Sequence, residues 1–285
     1  MSAASSKRDY PSSPDVHYVL PSDALEKQRL ELQHAIVRRA LCDGKSVLAP
    51  IVLKPGDRVL DSGTGSAWVL SLAEEVPSSV SLTAIDIQSK IFPESFPPNV
   101  VFLLHSVTDL PSQWTDTYSL VNQRFLIGAL TGPQWEVALE ELHRVVAPGG
   151  WVQLVEGTII SGHMGPFSTK ISNLWSALFA HRGLLIDIVK RLPNMLTQAG
   201  FVNVWSETRA LPLGQWAGQD GVDLRDVVAS VLSAMRGPIF EGGGLGLVSS
   251  EQEYDDLIAC VTKEWDNGQE VSASTELTVI YAQKV

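Results

Sequence analysis

The chain has 285 residues, 45% of them hydrophobic and 19% charged, a composition typical of a soluble globular protein with a substantial core. Its formal net charge of −11 argues against non-specific binding to nucleic acid or to an anionic membrane surface. The two cysteines form neither a metal-binding spacing nor a disulfide framework, and neither a signal-peptide core nor a bilayer-spanning run is visible. We therefore expect a cytoplasmic or nuclear protein.

The first segments in chain order are a polar tail over 1–16 and a helix that begins near Asp23. The tail is rich in Ser, Pro and charged residues, which predicts flexibility. Asp23 and Glu26 have the spacing of a capping box. The apolar residues that follow share one helical face and are Leu25, Leu32, Ile36 and Ala40.

From Arg58 onward, apolar strand segments alternate with helical segments. The predicted strands are 58–63, 81–87, 100–105, 118–123, 150–156, 201–207 and 277–283, and the predicted helices include 67–76, 134–146 and 186–199. This alternation predicts an α/β fold: a Rossmann-like, seven-stranded, mostly parallel sheet with helices on both faces.

A long segment without strand patterns separates the last two predicted strands. It contains helical patterns near 223–235 and 251–265, so we expect a helical cap over the sheet. The predicted organisation is a tail (1–16), a cofactor-binding core with an N-terminal helix (17–157), a cap segment with a core helix (158–200), and a C-terminal part (201–285) that holds the last two strands and the cap insertion (about 209–276).

Two carboxylates mark the ends of the first two strands. Asp61 precedes a turn with Gly63 and Gly65, and Asp86 lies near the end of the second strand. Glycines let the backbone approach a nucleoside closely, and a carboxylate after the second strand accepts hydrogen bonds from ribose hydroxyls. The pattern predicts a site for a nucleoside cofactor.

Nicotinamide and phosphate-loop sites fit the sequence less well. In the dinucleotide fingerprint the third glycine position is taken by Trp68, which would block close helix–strand packing. A phosphate-binding loop followed by Lys and Ser or Thr is missing from the sequence. The acid before the first glycine suits a ligand with an amine and a sulfonium better than one with phosphates.

At these residues the sequence resembles class I S-adenosylmethionine-dependent methyltransferases. The segment Val59-Leu-Asp-Ser-Gly-Thr-Gly65 is similar to their first motif, and Leu142-His-Arg-Val-Val-Ala-Pro-Gly-Gly150 to the turn before their fifth strand. Tyr18-Val-Leu-Pro-Ser-Asp23, with Gln33-His34 further on, resembles more specifically the fungal methyltransferases related to the secondary-metabolism regulator family. The resemblance covers 17–208 and implies S-adenosylmethionine as the cofactor.

The resemblance also implies which residues contact the cofactor. Asp61 would orient its amine and Asp86 its ribose, while Ser106 stands where the family usually has an aspartate that contacts adenine. Ala67 replaces the usual third glycine. The complete predicted set is Tyr18, Asp61, Gly63, Thr64, Gly65, Asp86, Ile87, Ser106, Val107 and Asn122.

Two histidines are candidate bases for proton abstraction from a phenol or an amine. His163 follows the fifth strand, and His34 lies on the N-terminal helix. Arg124, at the end of the fourth strand, is interpreted as a structural ion-pair partner. The tryptophans in or near the cap predict an aromatic-lined pocket and are Trp175, Trp205, Trp216 and Trp265. We see no metal-binding cluster in the sequence.

Three functional interpretations stay open. The first is methyl transfer to an O, N or S atom of a small apolar or aromatic metabolite, mainly by proximity and desolvation. The second is an enzyme of the same fold that uses the bound cofactor without transferring a methyl group. The third is a cofactor-binding regulatory protein of secondary metabolism.

An exposed apolar face on a cap helix would allow a homodimer.

Overall fold

The computed structural model describes residues 19–21, 23–65, 67–158, 160–268 and 272–285. A sheet of eight strands forms its centre. Five parallel strands lie in the order β3-β2-β1-β4-β5, and they are β1 (Arg58–Ser62), β2 (Ser81–Asp86), β3 (Val100–Leu104), β4 (Tyr118–Arg124) and β5 (Val146–Gly157). This arrangement confirms the predicted mostly parallel α/β sheet.

The remaining strands are antiparallel and complete the sheet. They are β6 (Ser161–Gly162), β7 (Val202–Pro212) and β8 (Ala273–Gln283), and β8 lies between β5 and β7. The prediction of seven strands misses β6, because two residues are too few to show a strand pattern. Strand β7 also runs beyond the predicted 201–207, since polar, exposed residues of an edge strand hide the signal.

Helices cover both faces of the sheet. Along β1, Val59 packs into a cluster with α2 (Ala67–Glu75), whereas Leu60 packs on the opposite face with α3 (Gly132–Val145) and α5 (Ile188–Gln198). This alternation follows from the two-residue period of a strand. Both faces of the central strands are therefore buried, and the site can form only at their ends.

The N-terminal helix α1 (Ala24–Ala40) begins as predicted. The Glu26 N–H donates to the Asp23 carboxylate over 3.0 Å, which caps the first turn. The apolar face of α1, with Ile36 and Val37, packs into the same cluster as the cap. The helix thus joins the sheet and the cap.

The cap consists of four helices from two parts of the chain. Helix α4 (Pro166–Arg182) comes before β7, and three helices lie between β7 and β8: α6 (Gly218–Ala234), α7 (Arg236–Glu241) and α8 (Glu251–Asp266). Trp265, Tyr254 and Phe179 are its large buried side chains. No helix of the described residues is both long and apolar enough to cross a membrane.

Helix α4 is capped by a side chain from α8. Its own N-cap residue, Gly165, has no side chain, and the Glu264 carboxylate accepts hydrogen bonds from the Phe167 N–H (2.9 Å) and the Ser168 N–H (2.8 Å) instead. The Ser168 hydroxyl also donates to Glu264 and accepts from Trp265 Nε1–H over 3.0 Å. One carboxylate thereby fixes α4 against α8.

We expect Glu264→Ala to lower the free energy of unfolding by about 2–3 kcal/mol, because it leaves the first N–H groups of α4 without their acceptor. The control is Lys263→Ala, an exposed neighbour on α8, which should change the value by less than about 0.5 kcal/mol. Urea denaturation of both variants measures the difference. Equal values for the two variants would show that the cap carries no stability.

Candidate active site

The glycine turn after β1 is built for close backbone approach. Gly63 and Gly65 have φ angles of 63° and 55°, in the left-handed region. A Cβ at Gly63 would lie 2.8 Å from Leu126 Cδ2, so the Leu126 side chain would have to shift. The turn therefore favours glycine at both positions because of its backbone conformation.

Asp61 is held by hydrogen bonds from two sides. Its carboxylate accepts from the Thr64 hydroxyl over 2.6 Å and from the Asn122 amide over 2.7 Å. The side-chain oxygen of Asn122, Oδ1, in turn accepts from Gln153 Nε2–H over 3.1 Å. Asp61, Asn122 and Gln153 are register partners on β1, β4 and β5, and all are buried. We refer to these three residues as the polar row.

Burial raises the pKa of Asp61 to about 6, although the nearby Arg124 guanidinium and the two hydrogen bonds oppose this rise. At neutral pH the Asp61 side chain is therefore predominantly ionised. Its negative charge lies at the end of β1, where the cavity begins.

Asp86 lies at the end of β2 and faces the same cavity. Its carboxylate accepts from the Gly65 N–H over 3.3 Å and from the Gln88 N–H over 3.2 Å. Burial raises the pKa of Asp86, and these N–H groups act against the rise. Ile87 follows on the rim and is exposed.

The loop after β3 supplies the next part of the wall, with Ser106 and the buried Val107. The Ser106 hydroxyl accepts from the Thr108 N–H over 3.2 Å and lies 2.7 Å from the Thr108 hydroxyl. Asp109 is exposed and does not line the cavity, so it does not take the place of the missing aspartate.

These residues line one cavity of about 270 Å³ with two chemically different ends. One end carries the carboxylates of Asp61 and Asp86, and we call it the polar end. The other is formed mainly by the cap and is apolar, and we call it the cap end. Its main lining residues are Trp175, Phe179, Leu224, Val227, Val228, Val231, Met235 and Leu277.

Helix α1 contributes a buried ion pair to the polar end. Arg29 donates to the two carboxylate oxygens of Glu26 over 2.6 and 3.0 Å and to Gln33 over 3.1 Å. Both charged side chains are almost fully buried. Sequence reasoning missed this pair, although its i, i+3 spacing on a predicted helix was a usable signal.

His34 lies on the cavity wall, but its ring nitrogens are already engaged. Nε2 lies 2.8 Å from the Ser71 hydroxyl, and Nδ1 lies 3.2 Å from Arg124 Nη2, which can only donate. Burial, followed by the charges of Arg124 and Arg38, lowers the pKa of His34 to about 4. The prediction of His34 as a general base is therefore not supported.

The structure brings together most of the predicted site residues. Those that line the cavity are Asp61, Gly63, Thr64, Gly65, Asp86, Ile87, Ser106, Val107 and His34. Asn122 does not line it, because its amide lies behind Asp61 as part of the polar row. His163 is exposed and outside the cavity, since β6 turns the chain away to pair with the start of β8. Tyr18 lies outside the described residues.

Glu156 holds the wall between the two ends. It is fully buried on β5, and its two carboxylate oxygens accept from the Leu126 N–H (2.8 Å) and the Ile127 N–H (3.2 Å). Burial raises the pKa of Glu156 to about 8 against these hydrogen bonds. Both loop residues line the cavity, so Glu156 fixes their position.

Known proteins match most of this chain. The sequence model of the methyltransferase domain family matches residues 32–206, more than half of the chain. The chain belongs to this family. An N-methyltransferase of Claviceps purpurea is 30% identical over 253 residues, covering 84% of this chain and 88% of that protein. An N-methyltransferase of Aspergillus fumigatus is 35% identical over 210 residues, covering 69% and 72%.

The fold is similar to that of solved methyltransferases. A structure of geranyl diphosphate methyltransferase in complex with SAM matches with a TM-score of 0.50 at 16% identity, covering 94% of this chain and 98% of that chain. At this identity the likeness concerns the fold. Within the described residues, His, Cys, Asp and Glu side chains form no group of three or more that is arranged to hold a metal ion.

We expect the stability contributed by His34 to depend on pH. The folded pKa, about 4, lies below the ordinary 6.5, so between these values the unfolded chain takes up a proton that the folded chain does not. The contribution is present above pH 6.5 and is lost as the pH falls towards 4, by at most about 3 kcal/mol. Denaturation of the wild type and His34→Gln at pH 7 and 4.5 should show the wild-type advantage shrinking. A difference independent of pH would contradict the buried neutral imidazole.

Proposed function

We propose that the protein is an S-adenosylmethionine-dependent methyltransferase that methylates a nitrogen atom of a small, largely apolar metabolite. The observation that carries this proposal is the two-ended cavity, in which a site with two carboxylates opens directly into an apolar cap. The two relatives above, which are N-methyltransferases, support nitrogen as the target atom.

The residues at the polar end fit this cofactor. Asp86 is placed to accept hydrogen bonds from ribose hydroxyls, and Asp61 to accept from an ammonium group. Gly63 and Gly65 line the cavity without a side chain, which suits close approach of a nucleoside to the backbone. When bound, the cofactor supplies a sulfonium methyl group that a nucleophile can attack directly.

The protein contributes binding, alignment and exclusion of water. None of the described residues that line the cap end is acidic or basic. His34 is neutral with both ring nitrogens engaged, and His163 lies elsewhere, so no base is positioned there. The acceptor nitrogen therefore attacks with its own lone pair and releases its proton to solvent afterwards. Proximity and desolvation provide the acceleration.

Transfer can be tested with a cofactor that carries a trideuterated methyl group. The protein should transfer this label to the nitrogen of small apolar amines and not to matched phenols or thiols, as seen by mass spectrometry of the products. Labelled phenols or thiols without labelled amines would refute nitrogen as the target. Cofactor binding without transfer to any acceptor would favour the non-transferring enzyme or the regulatory protein instead.

Asp86→Ala should weaken binding of S-adenosylhomocysteine about 10- to 100-fold, because hydrogen bonds to a charged group are lost. Calorimetric titration measures the dissociation constant. The matched control is Asp109→Ala, an exposed aspartate on the next loop that does not line the cavity, and it should leave the constant unchanged. Equal effects of the two substitutions would show that Asp86 does not bind the ribose.

Val228→Phe should fill the cap end and thereby affect acceptor binding without affecting cofactor binding. Val228 is buried on α6 and lines the cap end, so we expect the KM for the acceptor to rise about tenfold or more while the affinity for S-adenosylhomocysteine stays within about twofold. Val137→Phe, at an exposed position of α3, is the control and should change neither value. A loss of cofactor affinity in Val228→Phe would show that the two ends are not separate.

A further inference from the structure

Arg124 is a cation on the cavity wall that forms no ion pair with any described residue. It ends β4, and its Nη2 donates to His34 Nδ1 over 3.2 Å. In the described part of the chain, this is its one side-chain hydrogen bond, and no carboxylate forms an ion pair with it within 4.0 Å. The sequence-based interpretation of Arg124 as a structural ion-pair partner is therefore wrong for the described residues.

The guanidinium is held in place but is not neutralised. A chain of hydrogen bonds runs from Ser71 on α2 through His34 on α1 to Arg124 on β4. The neutral imidazole accepts one N–H of Arg124 and leaves the other donors of the guanidinium for a ligand. A partly buried cation is costly without an anion, which points to an anionic group that arrives with the ligand.

Asp61 lies near enough to Arg124 to act on it electrostatically. Burial lowers the pKa of Arg124, and the Asp61 charge is the first of those that oppose the fall. The two side chains nevertheless do not form an ion pair, because Asp61 is bonded to Thr64 and Asn122 and Arg124 to His34. A negative and a positive group thus line one cavity, with their charged atoms more than 4.0 Å apart.

We propose that Asp61 and Arg124 together bind the α-amino-acid end of the cofactor, with Arg124 binding its carboxylate and Asp61 its ammonium group. This inference rests on the proposed function and assigns Arg124 as a binding residue and His34 as the residue that positions it. An α-amino acid carries opposite charges on one carbon, so it complements a carboxylate and a guanidinium that line one cavity. Arg binds carboxylates through two parallel N–H groups, which also sets orientation.

The cofactor is a better source of this carboxylate than the acceptor. The cap end has no charged lining residue in the described chain, whereas Arg124 ends β4, the strand that pairs with β1 beside Asp61. Binding both charges of the amino-acid end would hold the sulfonium at a fixed distance from the cap end. Asp61 and Arg124 thereby align the methyl group with the acceptor.

Three ligands measured by calorimetry test this assignment: S-adenosylhomocysteine, its decarboxylated amine analogue, and 5′-methylthioadenosine, which lacks the whole amino-acid end. Arg124→Leu should weaken S-adenosylhomocysteine about 10- to 100-fold and change the other two by less than about threefold. Arg124→Lys, which keeps the charge, should recover part of the loss. Asp61→Asn should weaken the first two ligands together and spare the third.

The outcomes distinguish the role of Arg124 from the proposed function. If Arg124→Leu weakens all three ligands equally, Arg124 has only a structural role and the proposal is overturned. If it leaves all three affinities unchanged and raises only the KM of an acceptor, the anion belongs to the acceptor and the proposal is also overturned. Wild-type protein that binds none of the three ligands would instead refute the proposed function itself.

Discussion

The polar row across three neighbouring strands is the constraint on which the site depends. A buried carboxylate is tolerated only when hydrogen bonds replace water, and Asp61 obtains one of these bonds from Asn122. Gln153 completes the row and also holds the segment before β1, since it accepts from the Leu48 N–H over 2.6 Å and from the Ala49 N–H over 3.1 Å. The row therefore fixes the orientation of one charge and the alignment of β1, β4 and β5 at once.

The apolar cap end of the cavity is formed by elements that are not part of the polar row. The parallel strands end in charged and polar groups, while the cap supplies apolar side chains from α4 and α6. Helix α1 belongs to both, because Glu26 and Arg29 face the polar end whereas Ile36 and Val37 pack with the cap. In the proposed function, the cofactor and the acceptor would meet where these two surfaces adjoin.

Local motifs were predictable from the sequence, whereas contacts between distant segments were not. Asp61, Gly63 and Gly65 form one turn, so their spacing alone indicated the site. Asn122 was predicted to contact the cofactor, but the sequence does not tell whether such a side chain faces the cavity or a neighbouring strand. Arg124 and His34 are 90 residues apart in the chain, so their contact exists only after the sheet and α1 have assembled. His163 was misplaced because a two-residue strand redirects the chain.

Strands β7 and β8 bracket the cap helices α6, α7 and α8, and their facing ends are paired at Pro212 and Ser274. The two anchor points of this insertion are thus held side by side by the ladder itself. Extending a loop with fixed ends costs only slowly increasing entropy, about 0.6 kcal/mol for each doubling of its length. Exchange of this insertion would therefore alter which acceptors fit into the cavity, while the nucleoside-binding part would stay the same. One fold could in this way act on different acceptors.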